Sequence, residues 1–119
     1  MAQEELTAAE RLLESNLARI ALTRVYFAVF HAARGLLFAQ DLAPRTHEGV
    51  HHLFNLHFVK TGRFESPTSR LLARLQRYRE AADYSESFAI DEAGGREELE
   101  AARAFVQRVE AEAAGVLRR

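Results

Sequence analysis

The sequence predicts an all-α protein, an up-and-down antiparallel bundle of four to five helices, and three observations lead to this fold class. Ala, Leu, Glu and Arg dominate the 119 residues, and these residue types are good helix formers. Apolar residues recur at helical spacing, and no segment alternates in the way a half-buried strand does. Only two prolines interrupt the chain. The length suffices for one domain with a buried core, so we expect a single helical-bundle domain over residues 1–119.

The first two predicted helices cover residues 3–14 and 17–40. The first has one apolar side, formed by Leu6, Ala9 and Leu13. The second is apolar on most sides, as is typical of a buried central helix. Its apolar residues include Ile20, Val25, Tyr26, Phe27, Val29, Phe30, Leu36, Leu37 and Phe38.

Three further helices are predicted from start and stop signals, over residues 46–60, 66–84 and 91–117. Thr46 and Asp91 are suitable N-caps. Ser66 followed by Pro67 is typical of a helix start. Gly62 is placed to end the third helix.

The basic residues are unevenly distributed along the chain. The formal net charge is −1, but residues 45–79 hold seven basic and two acidic side chains, about +5. Arg70, Arg74 and Arg77 fall on one helical face and could hold phosphates through paired hydrogen bonds. A solvated arginine face is the simpler interpretation of the same spacing.

Two polar residues of the central helix, Arg24 and His31, share a face two turns apart. A buried Arg or His needs a partner, which an acidic residue of another helix can supply. We therefore expect a structural role for both residues. Both are also candidate binding residues. Tyr26 and Phe30 are expected in the core.

His47-Glu48-Gly49-Val50-His51 matches H-E-x-x-H, the zinc-protease pattern. His57 occupies the spacing of a third ligand, but position 54 is Phe where that pattern needs a chain-turning Gly. On a continuous helix His57 would lie about 15 Å along the axis from His47. We therefore predict no metal site, although His47 and His51 share one helical face and could form a weak two-ligand site. His47 is also a candidate binding residue.

Composition limits the remaining classes. The absence of Cys excludes a disulfide scaffold and a thiolate metal site. No phosphate-cradling glycine loop or dinucleotide motif occurs, so no cofactor is expected. The acidic start and the short apolar run over residues 25–33 predict a cytoplasmic protein without a membrane span.

Three segments together resemble one known family. Residues 24–34 read RVYFAVFHAAR, similar to R-x-Y-Y-A-x-F-H-A-A-R. Residues 44–49 read PRTHEG and continue with Phe54, His57, Phe58, Lys60 and Gly62, similar to P-x-T-H-x-G…F…H-F-x-K-x-G. Residues 79–84 read REAADY, similar to R-x-x-A-D-Y. These segments are those of the HEPN domain, in a prokaryotic subgroup, and the resemblance covers about residues 15–110.

The resemblance implies a helical bundle that often forms homodimers and pairs with a minimal nucleotidyltransferase in toxin–antitoxin-like modules. Many HEPN toxins are metal-independent endoribonucleases with an R-x(4–6)-H motif. Arg79 matches its arginine, but the residue after a four-residue gap is Tyr84 rather than His. Tyrosine is a poor proton acceptor at neutral pH.

The resemblance therefore implies a binding or assembly subunit of such a module, with nucleotide or RNA as a ligand. Arg79, Asp83 and Tyr84 would form its functional cleft, near a dimer interface. The alternative is an endoribonuclease toxin that uses Arg79 with Asp83 or Tyr84, or with His31 or His47 brought in by the fold.

Overall fold

The computed structural model describes residues 2–84 and 89–117, apart from the side chains of residues 66, 69, 116 and 117. Within these ranges the regular structure is entirely helical and no strand forms. The helices are α1 (Ala2–Glu14), α2 (Ala18–Ala39), α3 (His47–Phe54), α4 (Ser66–Ser69), α5 (Leu71–Tyr84) and α6 (Glu92–Leu117). The predicted all-α bundle is confirmed.

Helix α2 is the centre of the bundle, as its apolar pattern predicted. It packs against α1, α3, α5 and α6, and eleven of its residues are buried. Its length and hydropathy would also allow it to cross a membrane. Its buried residues, however, belong to the core that it shares with the surrounding helices. Two apolar residues of α2 do not face inward: Ile20 is 51% exposed and Phe38 is 46% exposed.

The predicted capping residues set the helix ends. The backbone N–H of Gly49 donates to Oγ1 of Thr46 at 2.9 Å, and that of Gly94 donates to Oδ1 of Asp91 at 2.7 Å. Gly62 adopts a φ of 74°, the left-handed conformation that lets a chain turn away after a helix. These features fix where α3 and α6 begin. They also fix the end of the α3 segment, which comprises α3 and the π-helical turn that follows it, residues 47–59.

Two details differ from the predicted helices. The predicted helix over residues 46–60 is α3 followed directly by a π-helical turn, Asn55–Val59. The predicted helix over residues 66–84 is divided at Arg70 into α4 and α5. Helical periodicity alone distinguishes neither a π turn nor a one-residue break from a continuous α-helix.

A cluster of aromatic rings fastens the α3 segment to α6. Phe54 and Phe58 stack with ring centroids 5.4 Å apart, and Phe105 of α6 lies 5.6 Å from Phe54. Phe64 contacts all three rings. These four residues are buried, so the rings fix one end of α3 while its other end remains beside α2.

Candidate functional site

Arg79 of α5 lies on the aromatic surface of α2. Its guanidinium carbon is 5.4 Å from the ring centroid of Tyr26 and 5.2 Å from that of Phe27. Its Nε is buried and has no hydrogen bond to a described residue, and Oδ2 of Asp83 is 3.7 Å away, one turn further along α5. The side chain is 28% exposed. The guanidinium therefore combines a sheltered position with access to solvent.

The first turn of α3 brings two histidines to the same place. The fully buried Tyr26 has its hydroxyl 2.9 Å from Nδ1 of His47 and 3.4 Å from Nε2 of His51. The ring of His47 also stacks on Phe30, with centroids 4.1 Å apart. Tyr26 thus contacts Arg79 on one side and both imidazoles on the other.

The surroundings of this cluster favour the neutral form of both imidazoles. Burial lowers the pKa of His47, and the nearby charges of Arg79, His31 and Arg34 lower it further. Burial also lowers the pKa of His51, with His47 adding to the effect and Glu80 opposing it. A neutral imidazole can donate one hydrogen bond and accept another.

Tyr26 keeps its proton at physiological pH. Burial raises the pKa of Tyr26 to about 12, although the adjacent Arg79 cation acts in the opposite direction. The phenol is therefore a hydrogen-bond donor within the cluster, and Arg79 remains the source of positive charge.

Two adjoining pockets open at the cluster. One of about 320 Å³ is lined by His47, Glu48, His51, Gln76 and Glu80. The other, also about 320 Å³, is lined by Gln76, Arg79, Glu80, Asp83 and Tyr84. Gln76 and Glu80 are common to both, so a ligand in this region could reach the imidazoles and Arg79 together.

The predicted cleft residues Arg79, Asp83 and Tyr84 do line one pocket. Tyr84 is 87% exposed, which makes it the most exposed of the large hydrophobic side chains in the described part of the chain. The imidazoles near Arg79 come from α3. The fold thus supplies histidines beside Arg79, although position 84 holds a tyrosine.

The two other candidates on α2 have different surroundings. Arg24 is exposed rather than buried, and it pairs with Glu5 of α1 at 3.4 Å. His31 stacks against Phe27 with centroids 5.8 Å apart, and its buried Nδ1 has no hydrogen-bond partner. Burial lowers the pKa of His31, while Glu5 acts in the opposite direction.

The arginine row does not join the cluster. Arg74 is held by Glu98 of α6 at 3.0 Å, and Arg70 lies in the turn between α4 and α5. Arg77 is exposed. Among the described arginines of residues 70–79, Arg79 is the one that contacts the rings of Tyr26 and Phe27. Arg74 therefore has a structural partner, and the row is not one uniform free surface.

Sequence reasoning placed Tyr26 in the core and considered His51 only as a weak metal ligand. Both carried a usable signal. Tyrosine buried in a hub helix needs a partner for its hydroxyl. Histidines at positions 47 and 51 share one helical face. The missing information was that α3 crosses α2 at Tyr26. Among the described residues, no group of three or more His, Cys, Asp or Glu side chains could hold a metal ion.

Comparison with known proteins agrees with the fold. The HEPN domain family model matches residues 1–112. A Methanocaldococcus jannaschii protein named "Putative toxin" is 40% identical over 85 residues, 71% of this chain and 63% of that protein. The chain therefore belongs to the HEPN family, whose resemblance the three sequence segments carried.

Two further relatives are named UPF0332 proteins. The one from Pyrococcus horikoshii is 41% identical over 70 residues, 59% of this chain and 49% of that protein. The one from Thermotoga maritima is 31% identical over 109 residues, 92% of this chain and 83% of that protein. The matched segments thus span only about half to two thirds of the archaeal relatives' length.

Proposed function

We propose that this HEPN protein is the binding subunit of a toxin–antitoxin-like module, and that it holds the phosphate of a nucleotide or RNA at Arg79. The observation that carries the proposal is the convergence of one sheltered guanidinium with two neutral imidazoles at adjoining pockets. The name of the Methanocaldococcus jannaschii relative supports a toxin-like context.

The chemistry of the site suits an anion with hydrogen-bonding groups. A guanidinium binds a phosphate through two parallel N–H donors. Among the described residues, the carboxylate paired with Arg79 is that of Asp83, which is 3.7 Å away and 45% exposed, so solvent screens this ion pair. An arriving phosphate can therefore compete for the guanidinium. The imidazoles of His47 and His51 then offer neutral hydrogen-bonding positions next to it.

Binding to a fluorescent oligoribonucleotide tests the proposal. Replacing Arg79→Ala should weaken binding at least about tenfold, since a hydrogen bond to a charged group contributes about 1.5–3 kcal/mol. The matched control is Arg11→Ala, an exposed arginine on α1, which should change affinity by less than about twofold. Equal affinities of the wild type and Arg79→Ala would exclude a phosphate site at Arg79.

The salt dependence of binding gives a second measurement. Each phosphate contact to a single strand contributes a slope of about −0.7 in log affinity against log salt concentration. We expect Arg79→Ala to reduce the slope by roughly one contact. Arg11→Ala should leave the slope unchanged.

We further propose that the protein forms a homodimer and pairs with a minimal nucleotidyltransferase. This part of the proposal rests on the family resemblance. Size-exclusion chromatography with light scattering measures the oligomeric state. Co-purification from cells that express both proteins measures the pairing. A monomeric protein that does not co-purify with the nucleotidyltransferase would contradict this part of the proposal.

A metal-independent endoribonuclease is the second candidate, and the position of His47 favours it. Neutral imidazole beside a guanidinium is a combination suited to proton transfer at a phosphodiester. RNA cleavage by the purified protein in EDTA decides between the two. Cleavage that is lost in both Arg79→Ala and His47→Ala would establish the enzyme. Binding without cleavage above the level of Arg79→Ala would support the binding subunit.

A further inference from the structure

One buried hydroxyl contacts two imidazoles in this protein, and its single proton cannot serve both. Oη of Tyr26 lies 2.9 Å from Nδ1 of His47 and 3.4 Å from Nε2 of His51. The hydroxyl can donate to one ring nitrogen, while its oxygen accepts from an N–H of the other ring. Since a neutral imidazole has one N–H and one acceptor nitrogen, these contacts bear on which nitrogen of each ring is protonated.

Two arrangements satisfy both contacts. In the first, Tyr26 donates to Nδ1 of His47 and His51 donates from Nε2, so both rings carry their proton on Nε2. In the second, His47 donates from Nδ1 and Tyr26 donates to Nε2 of His51, so both rings carry their proton on Nδ1. Any mixed arrangement leaves either the hydroxyl proton or one of the two ring nitrogens without a partner, which is costly for a buried group.

We propose that Tyr26 is a positioning residue that couples the tautomers of His47 and His51, so that the two remaining ring nitrogens always offer one donor and one acceptor. Those nitrogens are Nε2 of His47 and Nδ1 of His51. No hydrogen bond from another described residue occupies either of them. Both rings line the same pocket.

The coupling indicates a class of ligand, and this step rests on the proposed function. A hydroxyl group donates and accepts at one atom, so it can pair with a donor and an acceptor that line the same pocket. Arg79 lies against the ring of Tyr26 and supplies the charge for a neighbouring phosphate. The matching ligand is a phosphate ester with an adjacent hydroxyl, as in a ribose that carries a 3′-phosphate and a free 2′-hydroxyl.

Several charged groups surround the pair and act on its protonation. Arg79 of α5, with His31 and Arg34 of α2, opposes a further proton on His47. Glu80 of α5 favours one on His51. At pH 8 both rings should be neutral, which is the state in which tautomers are defined.

Two-bond ¹H–¹⁵N correlation spectra of the full chain at pH 8 test the coupling directly. With His47 and His51 assigned from single His→Gln variants, both rings should carry their proton on the same nitrogen. Tyr26→Phe should shift the ring nitrogen signals of both residues. The signals of the exposed His52 should remain in place. Tyr78→Phe, which removes a hydroxyl from α5, is the matched control and should leave both rings unchanged.

Opposite tautomers in the wild type would overturn the coupling, and this comparison needs no variant to fold. Unchanged spectra of His47 and His51 in a folded Tyr26→Phe protein would overturn it too.

The ligand assignment has its own measurement. Isothermal titration with a nucleoside 3′-monophosphate and its 2′-deoxy counterpart should show about a fivefold preference for the ribose form, roughly the effect of one hydrogen bond. In Tyr26→Phe the preference should fall below about twofold. Phosphate binding without a ribose preference would overturn the ligand assignment. A failure of every phosphate compound to bind would refute the proposed function, and the spectra would still decide the coupling.

Discussion

Three histidines of this protein, His31, His47 and His51, are partly shielded from solvent, and their environment rather than their residue type decides their charge. Burial is the largest cause of the lowered pKa of His31, His47 and His51. The guanidinium of Arg34 adds to the effect at His31 and His47, and that of Arg79 at His47. Protonating these histidines in the folded protein therefore places a charge where solvation is poor, and at His31 and His47 also near arginine charge.

This arrangement predicts a stability that falls on mild acidification. Below a pH of about 6.5 the unfolded histidines bind protons, whereas the folded ones resist them because their pKa is lowered. The unfolded state then binds more protons than the folded state. The free energy of unfolding therefore increases as pH rises through this window and decreases as pH falls. Urea midpoints measured from pH 5 to pH 8 should show this slope.

A pair of substitutions assigns that slope to the site. The double variant His47→Gln, His51→Gln should flatten the dependence between pH 5 and pH 6.5. His52→Gln, at an exposed position of the same helix, should keep it. The carboxylates of Glu10 and Glu112, whose pKa values are lowered beside arginines, act only below about pH 4.5, so the two effects separate. An unchanged slope in the double variant would mean that other groups set the pH dependence.

At the scale of elements, the start of α3 is the part of the fold that makes the site. Thr46 caps α3, and His47 is therefore the first helical residue and His51 follows one turn later. The stacking of His47 on Phe30 fixes the same end of the helix against α2. The cap thus contributes to stability and to the direction in which both imidazoles point.

Thr46→Ala should lower the free energy of unfolding by about 1 kcal/mol, the usual cost of losing an N-cap hydrogen bond. For a chain of this size that corresponds to a melting temperature lower by about 4 °C. Thr46→Ser retains the oxygen and is the matched variant, with an expected change of less than about 0.5 kcal/mol. Equal losses in the two variants would show that the methyl group, rather than the cap, is responsible.

Replacing Gly62, in a turn, and Gly35, in α2, with alanine should change the free energy of unfolding in opposite directions. Gly62 has a φ of 74°, a conformation that costs other residues about 1–2 kcal/mol. Gly35 lies within α2, and an added Cβ would meet no atom within 4 Å. Chemical denaturation should show Gly62→Ala destabilised by that amount and Gly35→Ala stabilised by about 0.5–1 kcal/mol. A loss in Gly35→Ala would point to a contact made by that face of α2.

The helices themselves were predictable because their signals are local. Thr46, Gly62 and Asp91 act on backbone groups a few residues away, and the apolar surface of α2 shows its central position. The π turn over residues 55–59 and the break at Arg70 depend on how the surrounding helices pack. The same distinction applies to the site. Arg79 follows from its motif, but its neighbours His47 and Tyr26 meet only through the crossing of α3 and α2.

At the scale of the whole molecule, the core and the site share the α3 segment. Its first turn holds His47 against Tyr26, and its far end holds Phe54 against Phe105 of α6, with Phe58 stacked on Phe54. Ion pairs between arginines and glutamates then tie α6 to α1, to α5 and to the loop before α4. They join Arg96 and Arg103 to Glu10, Arg63 to Glu112 and Arg74 to Glu98. These pairs are partly exposed, so each contributes little alone, and the aromatic cluster is the stronger attachment.

The aromatic cluster therefore leads to the largest expected loss of stability. Phe105 is fully buried, and truncating a buried Phe to Ala costs about 3–5 kcal/mol, a large part of the 5–15 kcal/mol typical of a whole domain. Phe38→Ala is the matched control, because Phe38 is 46% exposed and should lose less than about 1 kcal/mol. Urea unfolding followed by circular dichroism measures both variants. A loss in Phe105→Ala no larger than that in Phe38→Ala would contradict this expectation. It would mean that the contacts of His47 and His51 with α2, rather than the aromatic cluster, hold the α3 segment in place.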